Sequence, residues 1–118
     1  MGKYEREKGA RGERMWRDVC RAEGYDAKRG CQLYQRGDEI ADVTGLPHIH
    51  QEVKYQEHLH LREAMAQSVH DAEREGKGNI PIVAHKKNYS EWLVTMRARD
   101  WFTLYREWEA GSDGEIDE

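Results

Sequence analysis

Met15, Trp16, Val19 and Ala22 recur at helical spacing within residues 7–23, and Gly24 ends the stripe. The chain therefore opens with an amphipathic helix. Arg11, Arg14 and Arg17 occupy the rest of its surface. Residues 25–29 are expected to be extended, followed by a polar loop holding Gly30, Gly37 and Asp38. Ile40, Ala41 and Val43 then read as a short strand, 44–47 as a turn and 49–55 as a second strand, together an antiparallel hairpin. Leu61, Ala64, Met65, Ser68, Val69 and Ala72 fall at helical spacing, which predicts a helix over 59–75 closed by the run 76–79. Two more short strands, 80–84 and 92–96, are joined by the polar turn HKKNYSE, and a last helix covers 99–109. The order α-β-β-β-α-β-β-α predicts an α/β fold, a mixed sheet flanked by helices. Trp101, Tyr105 and Trp108 share one face of the last helix, and that face is expected to enter the core.

Composition bounds this picture without changing it. A chain of 118 residues with 37% hydrophobic content suffices for one core. Charged residues at 36% would suit disorder, but four Trp and six Tyr provide the aromatic mass to anchor a fold. The net charge is −4, yet the last eight residues hold Asp113, Glu115, Asp117 and Glu118 and no base, so residues 1–110 are neutral. We expect one domain over 1–110 and an acidic, disordered tail over 111–118. Net charge gives no argument for a polyanionic partner, so that argument must come from where the bases sit. Cys20 and Cys31 lack CxxC spacing and read as small buried residues. No apolar stretch resembles a signal peptide or membrane span, so a cytoplasmic protein is expected.

The chemistry concentrates in the hairpin. Residues two apart on a strand share a face, so Glu52 and Lys54 of QEVK point together while Val53 points to the core. Asp42 on the preceding strand can lie opposite them. Hard oxygen ligands at this density suit Mg²⁺, with Mn²⁺ able to substitute. Such an ion lowers the pKa of a water and neutralises charge growing on a phosphate, while a lysine orients the water or stabilises the transition state. The competing reading is a solvated hairpin with a surface ion pair, worth at most roughly 1 kcal/mol. Glu13 lies roughly 60° around the first helix from Trp16, at the border of the apolar stripe, where it can reach the sheet edge. Alternatively it is a surface glutamate paired with Arg17. Alternation also puts His48 and His50 on the Glu52 face, but no H-E-x-x-H spacing accompanies them, so a zinc site is not expected. His50 is a candidate phosphate contact.

Together KGARGER, GYDAKRG and IADVTGLPHIHQEVK resemble the archaeal-type Holliday junction resolvases, within the PD-(D/E)xK nucleases. HLHLREAMAQSVHDA and IPIVAHKKNYSEWLVTM look like their phage branch. The resemblance spans roughly residues 7–96. It implies a restriction-endonuclease-like fold and a metal-dependent site in which Glu13, Asp42 and Glu52 hold metal and Lys54 assists. Gln67, beside the apolar stripe of the central helix, matches a polar helper position. Ala41 stands where the family motif has proline, and the loop CQLYQRGDE has no serine of the kind the archaeal enzymes use, leaving Gln35 or Arg36 as replacement. Lys8, Arg11, Arg14, Lys28, Arg29, Arg36, Lys86 and Lys87 are the candidate phosphate contacts, alongside the alternative that each is only a solubilising charge. Paired cuts require a homodimer, and a phage-encoded chain would act in the host cytoplasm. The expected function is a structure-selective DNA endonuclease acting on four-way or branched DNA. The alternatives are a nuclease of the same fold acting on flaps, forks or ends, and a non-cleaving DNA-binding module.

Overall fold

The computed structural model describes residues 2–30 and 41–116, with side chains as far as residue 112. Cys31, Gln35, Arg36 and Ile40 lie outside the described residues. The order is α1 (Lys3–Ala22), β1 (Lys28–Arg29), β2 (Val43–Thr44), β3 (Ile49–Tyr55), α2 (Leu61–Glu75), β4 (Ile80–Lys86), β5 (Leu93–Met96) and α3 (Ala98–Ile116). This is the expected sequence of elements, with bounds moved by a few residues. The five strands lie side by side in chain order. The β3–β4 pair is parallel and the other pairs are antiparallel. A parallel pair needs a long crossover, and α2 supplies it.

The buried residues of α1 are Lys8, Gly12, Trp16 and Cys20, a row at steps of four. Met15 is only half-buried and Ala22 is exposed, so the packed stripe is rotated from the expected one. Gly12 explains the rotation. A Cβ there would lie 2.5 Å from the Cβ of Tyr55, so its absence lets α1 settle directly on β3. Trp16 then packs with Cys20, Ala27, Val43, Val53 and Ala84, against half-buried Val19, Leu46 and Trp92. The Trp16 indole donates to Gln51 Oε1 at 2.7 Å, which satisfies the indole N–H inside this core.

On the other side of the sheet α2 approaches through Ala64, Ser68, Asp71 and Ala72, and the Ser68 hydroxyl donates to the Ile82 carbonyl at 2.9 Å. Leu61, Met65 and Val69 are only half-buried, because the closest approach of helix to sheet is reserved for the smaller side chains. Gly76, at φ 68°, ends α2 in the left-handed conformation. With a helix on each face, β3 buries four consecutive residues, His50, Gln51, Glu52 and Val53.

Two expectations are corrected by α3. The helix does not end near Glu109 but runs to Ile116, so the backbone stays helical through most of the acidic end. Its aromatic face is also not in the core: Trp101, Phe102, Tyr105 and Trp108 are all exposed. The helix leaves β5 at the sheet edge and stacks its own rings, Trp101 on Tyr105 at 5.3 Å between centroids. No described helix is long and apolar enough to cross a membrane.

Candidate active site

Val43 pairs with Gln51, and Asp42, immediately before β2, lies close enough to Glu52 for its charge to act on that carboxyl. The Asp42 backbone N–H donates to the Gln51 carbonyl at 3.0 Å, and its Oδ2 accepts the Val53 N–H at 2.9 Å. The carboxylate is thereby fixed against β3 through Oδ2. Glu52 is 7% exposed. Its Oε2 lies 3.8 Å from Lys54 Nζ, and the lysine keeps a partly open side chain. The solvated-hairpin reading fails at this point, because Glu52 is enclosed between sheet and helix.

Enclosure has an electrostatic consequence. Burial pushes the Asp42 carboxyl up to about 7; the negative charges of Glu13 and Asp71 add to this, while the Val53 N–H and Lys54 oppose it. Burial pushes Glu52 up to about 8, with Asp42 the next cause and Lys54 again opposing. Among the described residues Glu52 Oε1 is buried without a hydrogen-bond partner. Two neighbouring carboxylates that resist ionisation, one with an orphaned oxygen, fit a divalent cation as the missing counter-charge.

Glu13 sits within electrostatic reach of Asp42. Its partner is Arg29 at 2.8 Å, and Arg17 pairs with neighbouring Asp18 instead. Arg29 forks onto Glu13 Oε1 through Nε and Nη2, which makes it a positioning residue for Glu13 in this arrangement. Gln67 directs its amide at both Asp71 oxygens, 3.0 Å from each, and so reaches the site through Asp71.

The basic residues divide by burial. Lys8 is buried, lies 3.4 Å from Glu57 and sits 4.6 Å from the centre of the Tyr55 ring. Lys86 satisfies the turn by donating to the Ser90 carbonyl at 2.6 Å. Both stand by Tyr55, with Arg11 5.9 Å from the same ring, so one cationic cluster adjoins the strand that carries Lys54. Arg11, Arg14, Lys28 and Lys87 are exposed. Lys28 also forms a loose 3.9 Å pair with Asp26.

Sequence reasoning missed Asp71 and did not assign His50 its setting. A ligand atom from each of His50, Glu52 and Asp71 lies within 4.8 Å of the others, and all three residues are buried. The overlooked signal was helical: Asp71 is three residues from Ser68 and adjacent to Ala72, on the face of small residues. His48, expected on the Glu52 face, lies before β3 in a left-handed conformation and is exposed.

No protein-family model and no curated protein sequence matches the chain. Among solved structures it is similar to Hjc, a Holliday junction resolvase from the archaeal hyperthermophile Archaeoglobus fulgidus. The likeness has a TM-score of 0.58 at 23% identity, over 75% of this chain and 76% of that one. At this identity the likeness speaks for the fold: the five-stranded mixed sheet with its three helices is restriction-endonuclease-like.

Proposed function

We propose that the chain is a Mg²⁺-dependent, structure-selective DNA endonuclease, a Holliday junction resolvase of the phage-like branch, cutting phosphodiester bonds in branched DNA. The observation that carries this reading is Asp42 close to Glu52 with Lys54 beside it, a half-buried and a buried carboxylate whose ionisation calls for a cation. Asp42 and Glu52 would hold the ion, and Glu13, now paired with Arg29, is the further carboxylate that could join them. A divalent cation supplies a water of lowered pKa and positive charge against the phosphate. Lys54 holds its ammonium beside Glu52, where it can orient the attacking water or meet charge on the phosphate oxygens. The cluster around Tyr55, extended by Lys87 and Arg11, gives the DNA backbone a cationic approach.

Cutting two opposed strands calls for two sites related by a two-fold axis. The second copy has a surface to meet, since α3 exposes Trp101, Phe102, Leu104, Tyr105 and Trp108, and β5 exposes Leu93 and Val94. An isologous pairing of these apolar faces would give the homodimer.

The test is a substrate panel: labelled four-way junction, flap, linear duplex and single strand, with Mg²⁺ or EDTA, using wild type and Glu52→Gln. Paired cuts on the junction alone, lost in EDTA and in the variant, are expected. Cutting of every substrate would remove junction selectivity. A folded protein that binds the junction and cuts nothing would move the assignment to a DNA-binding module.

A further inference from the structure

Behind Glu52, on the side away from Lys54, β3 and α2 enclose a second set of donors. The His50 side chain is wholly buried, and its Nδ1 lies 2.8 Å from Glu75 Oε1. An ionised carboxylate only accepts, so the ring proton belongs on Nδ1 and Nε2 keeps its lone pair. That lone pair has no hydrogen-bond partner among the described residues, and neither has Glu52 Oε1, 4.0 Å away. Asp71 stands at the same point, its carboxylate held by the Gln67 amide.

Two buried polar atoms facing each other without partners are costly, and at 4.0 Å they stand too far apart to relieve the cost by a hydrogen bond. A cation relieves both. We infer that His50 Nε2, Glu52 Oε1 and Asp71 form an inner metal site for a first-row transition ion such as Mn²⁺, Co²⁺ or Zn²⁺, distinct from the Asp42 side of Glu52.

The nitrogen donor sets the ligand class. Imidazole suits transition ions, whereas Mg²⁺ prefers oxygen and retains its waters. Glu75 behind His50 is the carboxylate that commonly fixes the tautomer and orientation of a ligating imidazole. Donors about 2.1 Å from one ion stand roughly 3–4 Å apart, so atoms now within 4.8 Å of one another need move by only a fraction of an ångström each. Glu52 then serves both sides, with Oε1 turned inward and Oε2 toward Lys54. An inner ion would hold Glu52 ionised and oriented for its outward role. The inference rests on the packing of β3 against α2 and does not depend on nuclease activity.

The experiment strips the full chain with EDTA and titrates it with Mn²⁺, following ¹⁴N coupling by pulsed electron paramagnetic resonance and affinity by calorimetry. Wild type should show coupling to one histidine nitrogen, retained in Asp42→Asn and abolished in His50→Gln. Because His50 is buried, Asp71→Asn is a second probe at a less enclosed position. It should weaken the nitrogen-coupled site at least 10-fold while circular dichroism stays unchanged. Absence of nitrogen coupling in wild type, or its persistence in His50→Gln, overturns the inference. A chain that shows the coupling and cuts no DNA supports the inner site while removing the nuclease proposal.

Discussion

Asp42→Asn should stabilise the metal-free protein, by an amount that grows from about pH 4 and is complete above about pH 7. The Asp42 carboxyl rises from an ordinary 3.8 to about 7 in the fold, chiefly through burial. Below pH 4 it is protonated in both native and unfolded chains and contributes nothing. Between about pH 4 and 7 the unfolded chain gives up this proton while the native chain keeps it, so native stability falls as pH rises. Above about pH 7 both states are ionised and the full penalty stands. Each pH unit of difference corresponds to about 1.4 kcal/mol, giving a penalty of about 4 kcal/mol, which relaxation around the charge would reduce to about 2–4 kcal/mol. Asparagine keeps the shape and an oxygen for the Val53 N–H, so it removes the charge without removing the contact. Urea unfolding in EDTA at pH 5 and pH 8 measures the effect. The variant should gain about 2–4 kcal/mol at pH 8 and less than about 2 kcal/mol at pH 5. In Mn²⁺ the order should narrow or reverse, because the inner site binds the ion in both proteins while only wild type keeps the site on the Asp42 side of Glu52. Equal gains at both pH values, or a loss at pH 8, would refute the argument that a buried, uncompensated carboxylate waits here for a cation.

Other consequences can be checked separately. Gly12→Ala puts a methyl 2.5 Å from the Tyr55 Cβ, where neither atom can escape by rotation, so thermal melting should fall by about 5–15 °C. Replacing Tyr105 and Trp108 together by glutamate should convert a dimer to monomer in sedimentation equilibrium without lowering the melting temperature of the monomer, since neither ring lies in the core. Lys87→Ala should weaken binding alike for all DNA sequences and lower the slope of log affinity against log salt by about 1, read by fluorescence anisotropy.

Much of the fold was legible because periodicity marks elements well. The 49–55 strand matched β3 at both ends, and Gly76 closed α2 where its conformational freedom was expected to matter. The site was legible in part: spacing on a hairpin was enough to expect Asp42 near Glu52, and the two lie within electrostatic reach of each other. What escaped was burial, a property of the third dimension. Alternation implied a face shared with solvent, but a helix on each side of β3 enclosed His50 and Glu52 together. Asp71 was hidden in a helix face judged by its apolar residues, whereas the smaller side chains made the closest contact. The aromatic face of α3 shows the same limit, because an amphipathic stripe in sequence does not say whether its partner belongs to the same chain.

The central claim is that Asp42, Glu52 and Lys54 perform the cut and are not merely a structural cluster. A pre-bound, end-labelled four-way junction, started by adding Mg²⁺ under single-turnover conditions, tests it most directly with wild type, Asp42→Asn and Lys54→Ala. All three proteins should bind the junction with affinities within a few-fold, and both variants should cut on the order of 100-fold more slowly or worse. Undiminished cutting by either variant would contradict the account.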